Sequence, residues 1–475
     1  MLAGEGPGEG GRRAMSFPRY PKYKDSGVEW LGEVPGHWNI VKLQDLAQNT
    51  PYSFVDGPFG SDLKNEEYTD AGVPLIQLNN INEGYHVLND VKYISEKKAD
   101  DLIKHNALPG DIVIAKMADP VARAAIVRND FERYVVVADC IRLAVDENKV
   151  VPSFSIYSIN SKYFRANAES VSSGITRLRI NLGVLKKLRF ALPPREEQST
   201  IAAFLDRETA KIDELIAEQQ RLIELLKEKR QAVISHAVTK GLNPNATMKD
   251  SGIEWLGEVP EHWAIKQLRH VSNIVRGASP RPAGDPIFFS YDNTIKENIP
   301  WVTVAEITKD SSVYLCDVKE YLTPLGVKNS QYFESGTLIF SNSGATLGVP
   351  KILSISCCAN DGVLVFKDLS ITVNILFIYY FLLTTTERLR TEMKQGGGQP
   401  NLNTDIVKNI GFAVPPIVEQ SFIVAFLENE TTQLDELTTE ANRAIELLKE
   451  RRTALISAAV TGKIDVRGLG QSLKP

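Results

Sequence analysis

Two stretches of about 40 residues, beginning just after Pro193-Pro194 and Pro415-Pro416, carry neither proline nor glycine and repeat apolar residues at helical spacing. At 1.5 Å per residue each predicts a helix roughly 60 Å long. A seven-residue register places Leu205, Ile212, Leu226 and Val233 on one seam position of the first helix. Its counterpart in the second holds Leu427, Leu434, Leu448 and Leu455. A second seam position is assigned to Leu215 and Leu222 in the first stretch and to Leu437 and Ala444 in the second, with Glu, Lys and Arg on the outer faces. A lone helix would leave that stripe in water, so each needs a partner. The reading adopted is that the two pair as an antiparallel coiled coil; the other is that each packs on its own neighbouring domain.

Elsewhere the apolar runs are short, β-branched and bounded by glycine or proline, which predicts strands of a mixed α/β fold. GVPLIQL from Gly72 parallels NIPWVTV from Asn298, and PGDIVIA from Pro109 parallels SGTLIFS from Ser335. The richest apolar run, Ile375 to Leu383, is far short of the roughly 20 residues a membrane-spanning helix needs. A soluble protein with no membrane association is expected.

These parallels belong to a larger duplication. KDSGVEWLGEVPGHWNIVKL from Lys24 returns as KDSGIEWLGEVPEHWAIKQL from Lys249, with about 15 of 20 positions identical. The segments from Leu192 and Val414, which include the long helices, match at about 29 of 51 positions. Between these borders the sequences have diverged far more, so one frame has been kept while its contents changed. The expected organisation is a disordered leader over 1–23, with Met15 as a candidate start, and a first variable domain with its conserved segment over 24–191. A central long helix and linker follow over 192–248, a second such domain over 249–413, and a distal long helix and tail over 414–475. The predicted fold class is two α/β recognition domains separated by two long helices, related by an internal pseudo-two-fold repeat.

Composition narrows the chemistry. With 475 residues and 43% hydrophobic content the chain can bury more than one core. Its net charge is −5, and the two variable segments are each about charge-neutral, which excludes a freestanding strongly basic DNA-binding face. Cys140, Cys316, Cys357 and Cys358 have no C-x-x-C spacing and fit a reduced, cytoplasmic setting. Gly462-Lys463 lacks the loop and hydroxyl of a phosphate-binding motif, and no histidine pair has metal-ligand spacing. Asn or Asp directly before Pro-Pro, as in adenine methyltransferases, is replaced by Leu192 and Val414. His37 and His262, in the repeated P-x-H-W, are read as structural. No catalytic residue, metal site or cofactor is assigned, which points to binding; the rival readings are a non-DNA interaction scaffold presenting two divergent domains and an enzyme with an unrecognised site.

The repeated KDSG-x-EWLGEVP-x-HW, the Pro-Pro pairs followed by Glu197-Gln198 and Glu419-Gln420, and IELLKE-[KR]-R in both helices together resemble the specificity subunits of type I restriction-modification systems, from about Lys22 onward. That resemblance implies a non-catalytic subunit whose two domains each read one half of a bipartite double-stranded DNA target. The helices would set the spacing and dock two modification (methyltransferase) subunits, with two ATP-dependent restriction subunits joining the larger complex. S-adenosylmethionine, ATP and magnesium would sit on those partners. DNA contacts are expected from polar and basic residues of the loops, where guanidiniums and amides match base edges and phosphates. In the first domain these are Ser61, Lys64, Lys116, Arg123, Arg177 and Arg179; in the second, Arg276, Arg281, Asn342, Ser343, Thr346, Gln399 and Asn401.

Overall fold

The Pro-Pro pairs do mark helix starts: uninterrupted helices span Arg195–Lys240 and Ile417–Val460. The computed structural model describes residues 17–469 except 59, 61, 118–119, 175–176, 345 and 392–401. Contacts divide the chain inside both helices, giving one unit with the residues up to Gln219 plus those from Arg443, and a second unit of Gln220–Asn442. Each unit therefore contains one variable domain, the start of one long helix and the end of the other.

In the first unit the variable domain is built on two five-stranded mixed sheets. One runs in the order Phe54–Asp56, Cys140–Leu143, Ile112–Ala115, Ala124–Ile126, Gly84–Tyr85; the other, Tyr68–Thr69, Tyr93–Ile94, Val73–Ile76, Tyr134–Val136, Asn106–Ala107. The second unit repeats this topology with Asn273–Arg276, Val363–Lys367, Leu338–Ser341, Pro350–Leu353, Tyr314–Leu315 and with Phe289–Ser290, Tyr321–Leu322, Ile299–Val302, Cys357–Ala359, Tyr332–Phe333. The predicted strands Ile112–Ala115 and Leu338–Ser341 are central in their sheets and buried at every residue, which is why they read as continuous apolar runs. The run at Ile375 forms the helix Ile375–Thr391, whose Phe377, Ile378, Tyr380 and Phe381 pack into the second unit's core.

The repeated Glu-Gln pairs have local work to do at each helix start. Gln198 Nε2 donates to Lys149 O (3.0 Å) and Pro193 O (2.9 Å), and its Oε1 accepts from Val151 N (2.8 Å). Gln420 does the same with Thr372 O, Pro415 O and Asn374 N. Each buried amide thus joins its helix to the loop that leads into the domain's helical segment. Glu197 takes Trp38 Nε1 (3.0 Å) and Tyr20 Oη (2.5 Å) on one oxygen, and His37 Nε2 lies 2.7 Å from the other. Glu419 receives Trp263 Nε1 (3.1 Å), with His262 Nε2 at 2.8 Å. P-x-H-W and Glu-Gln are two halves of one clasp.

Within each unit the two helix portions run antiparallel. In the first, Gly462, just beyond the second helix, faces Trp38, which is held by Glu197 at the start of the first helix. In the second, Gly241 lies against Trp263 and Glu419 in the same way. Both glycines adopt positive φ, +71° at Gly462 and +75° at Gly241, the left-handed conformation that commonly ends a helix. Leu205, Ile212 and Leu455 are buried in the first unit with Leu448 packed beside them; Leu226, Leu427 and Leu434 are buried in the second, with Val233 packed on its core.

The second seam position needs correction. Leu215, Leu222 and Leu437 are 43%, 41% and 48% exposed, and the seam is completed one residue later in each turn, by Thr209, Ile216 and Ile223 and by Thr431, Ile445 and Ala459. Alternating steps of three and four residues fit the leucines equally well in either order, and leucine on the flank hid the true one. Thr209 and Thr431 are admitted because each hydroxyl donates to the carbonyl four residues back, Leu205 O and Leu427 O, both at 2.7 Å. Arg452 pairs with Asp213 (2.9 Å) in the first unit, and Arg230 with Asp435 (3.3 Å) in the second.

The leader expected over 1–23 is structured where it is described. Phe17 sets its ring edge-on to Phe204 at 5.8 Å, and Tyr20 is buried in the clasp. Residues 1–16 lie outside the described residues.

Candidate nucleic-acid interface

In the first unit, several loops meet where Phe54–Asp56 and Ile112–Ala115 end and Cys140–Leu143 begins. The chain leaves the first strand through Gly57, where a Cβ would lie 2.0 Å from Val137 O; Gly277 is equally constrained, at 2.3 Å from Ala359 O. The glycines of these loops are thus imposed by the crossing of one backbone against another. Lys116 N donates to Asp139 O (2.9 Å), and Lys116 O accepts from Ile180 N (2.9 Å), which brings the Arg177–Arg179 segment alongside. Arg179 is also laced to Ser173 through both backbone groups.

Lys116 and Arg123 are corrections to the sequence reading. Lys116 is buried and its Nζ lies 3.1 Å from Asp56 Oδ2. Arg123 is spent on carbonyls, with Nε on Ile81 O (2.7 Å) and Nη2 on Leu78 O (2.8 Å). Both hold loops together: the buried Lys116 must be paired, and the half-buried Arg123 ties two loop carbonyls. Arg177 and Arg179 remain at the surface, Arg179 with its guanidinium on Asp139 Oδ1 at 2.8 Å. Lys64 is exposed ahead of the edge strand Tyr68–Thr69 of the other sheet, and Ser61 lies outside the described residues.

The second unit assembles the corresponding loops from different residues. Arg276 ends the strand Asn273–Arg276 and is half-buried. Asn342 N donates to Gly362 O (3.0 Å), and Asn342 O accepts from Leu402 N (2.7 Å), the pattern seen at Lys116. Asn342 itself has no exposed surface. Ser343 is half-buried beside it and Thr346 is exposed, while Gln399 and Asn401 lie outside the described residues. Arg281 is exposed and reaches Asp361 Oδ2 at 3.3 Å, with Ser279 Oγ on the other oxygen at 2.6 Å. That serine bond, and the arginines nearby, hold the Asp361 carboxyl below its usual range.

Sequence reasoning missed Asp56, Asp139 and Asp361, the carboxylates that take up the candidate cations. Each directly precedes a glycine or cysteine at a strand end or turn, so only the closing of the sheet brings it to its partner. Among the described residues no group of three or more His, Cys, Asp or Glu is arranged to hold a metal ion. Cys140, Cys357 and Cys358 are buried thiols, and burial pushes Cys358 up to about 11 and Cys357 up to about 12. They are poor nucleophiles. What the arrangement offers is hydrogen-bonding side chains on loops held by rigid sheets, in two different sets.

The sequence matches the family model described as "Type I restriction modification DNA specificity domain" twice, over residues 35–225 and 260–447. It is 24% identical over 451 residues to the putative type I restriction enzyme MjaX specificity subunit of Methanocaldococcus jannaschii, covering 92% of this chain and 96% of that protein. It is 23% identical to the type I restriction enzyme EcoKI specificity subunit of Escherichia coli, covering 83% of each. A chain from a structural study of complex assembly and conformational transition of the type I R-M system superposes with a TM-score of 0.69 at 15% identity, over 90% of this chain and 98% of that one. The HsdS subunit of Thermoanaerobacter tengcongensis gives 0.53 at 16% identity, with the same coverage.

Proposed function

Because the chain belongs to the type I restriction-modification DNA specificity family, we propose that each of its two units reads one half of a bipartite double-stranded DNA target. The observation that carries this reading is that two copies of one frame expose different side chains on their loops: Lys64, Arg177 and Arg179 in the first unit, Arg281 and Thr346 in the second. A frame that merely filled space would have no reason to keep its strands, clasps and helix ends while changing these positions. Two different sets let a single chain address an asymmetric site.

The subunit itself performs no chemistry in this reading. Two modification subunits supply S-adenosylmethionine and methylate adenine, and two restriction subunits supply ATP- and magnesium-dependent functions, all acting on DNA in the cytoplasm. The near-neutral variable segments hold DNA too weakly by phosphate attraction alone, so the partners clamp the duplex while this chain contacts base edges. The long helices, with leucines such as Leu215, Leu222 and Leu437 left outside the seam, supply docking surface and set the separation of the half-sites.

The test is methylome sequencing of a strain expressing the chain with its cognate modification subunit, against the same strain without the chain. A new split motif with methyl-adenine in both halves is expected. A stable complex with the modification subunit and no new methylation would leave a non-DNA scaffold as the better reading.

A further inference from the structure

We propose that Asn342 is a specificity-determining residue of the second unit, its side-chain amide reading the donor–acceptor edge of an adenine in one half-site. The proposal rests on the DNA-reading function above and deepens it.

The argument starts from the equivalence of the two units. Asp56 pairs in register with Ile141 and Arg276 with Leu364, and those residues are paired in turn with Ile114 and Phe340 on the central strands. Two residues further along, Lys116 and Asn342 occupy the same place, each donating from its backbone N to the neighbouring turn, at Asp139 O and Gly362 O. Asp56, Lys116 and Asp139 therefore correspond to Arg276, Asn342 and Gly362.

In the first unit this position closes on itself. Lys116 is paired with Asp56, and Asp139 with Arg179. In the second unit both carboxylates are gone. Arg276 offers no acceptor to Nδ2, and Gly362 has no side chain; a Cβ there would lie 2.8 Å from Ser343 Oγ and 2.9 Å from a methyl carbon of Val304. Asn342 is fully buried, and among the described residues neither its Nδ2 nor its Oδ1 has a hydrogen-bond partner.

Burying both ends of an amide unpaired costs free energy, and a leucine of nearly the same shape would avoid that cost. A ligand edge with one acceptor beside one donor would satisfy both ends at once. The N7 and N6 amino group of adenine in the major groove form such an edge, and asparagine is one of the two side chains that match it bidentately. The amide is sealed in the free protein, so contact requires the surrounding chain to yield on binding. The unmade bonds favour that change when a matching base arrives.

The experiment compares Asn342→Leu with the unmutated chain, each co-expressed with the modification subunit, by methylome sequencing and by methylation rate on the unmutated chain's target. Asn342→Leu is expected to fold at least as stably. It should relax one adenine in one half of the motif, or slow methylation of the original site by about ten- to a hundredfold, leaving the other half unchanged. Arg276→Asp combined with Asn342→Lys installs the first unit's ion pair and should affect the same base, which keeps the question answerable if the leucine variant misfolds. An unchanged motif with rates within twofold in whichever variant folds would overturn the proposal. Failure of the unmutated chain to direct any split motif would instead overturn the function on which it rests.

Discussion

The clasp at the start of the first long helix is better sealed than the one at the start of the second. Glu197 receives Tyr20, His37 and Trp38 and is almost wholly buried, whereas Glu419 receives, among the described residues, His262 and Trp263 and is about a third exposed. The difference comes from the segment ahead of the repeat. Tyr20 lies four residues before Lys24, and Asn245 holds the corresponding place before Lys249. Burial, and next the Glu197 carboxylate it donates to, push the Tyr20 phenol well above its usual range. Two copies of one motif thus have unequal strength because their neighbours differ.

Replacing the two glutamates by alanine measures this directly. Glu197→Ala leaves the buried indole and phenol groups unpaired and should destabilise the first unit by about 3–5 kcal/mol. Glu419→Ala, with water able to reach the vacated groups, should cost the second unit only about 1–2 kcal/mol. Hydrogen exchange, followed separately in peptides from each unit, would show the difference; equal losses would remove the claim that Tyr20 sets it.

A smaller effect separates the units by pH. His86 in the first unit is buried against the edge of Tyr134 at 5.1 Å, and burial, then Arg128, pull its pKa from 6.5 down to about 4, against a weaker opposing pull from Asp130. The unfolded chain takes up a proton near pH 6.5 while the folded unit does not until about pH 4. Stability is therefore intact above pH 6.5 and declines as pH falls toward 4, by up to about 3 kcal/mol. Exchange protection in the first unit should fall through this window, and His86→Phe should flatten the profile.

The smallest expected difference lies in the helix ion pairs. Arg452–Asp213 and Arg230–Asp435 are equivalent by the repeat and partly exposed, so neutralising either aspartate with asparagine should cost only about 0.5 kcal/mol. A larger loss at one of them, measured by thermal unfolding, would mean that the two ends of the coiled coil are not interchangeable.

Strand positions, helix starts, the duplication and its family were legible in the residues because each is a local or repeated pattern. PGDIVIA shows a buried strand by composition alone, and Pro-Pro ahead of an unbroken periodic run shows a helix start. The order of three- and four-residue steps along the seam was not legible, since leucines at 215 and 222 satisfied either order and the threonines at 209 and 431 looked like surface. Nor was the fate of individual cations in the loops: Lys116 and Arg123 have the composition of DNA contacts and the environment of internal braces.

The sequence by itself determined that one frame is written twice with changed contents, because identity and spacing are properties of the chain. Only the tertiary structure decided which end of each helix meets which conserved segment, since Gly462 reaches Trp38 from more than 400 residues away. It alone also decided that Lys116 finds an acid while Asn342 finds none. Whether a buried polar group is paired depends on what the fold brings to it, and no local pattern records that.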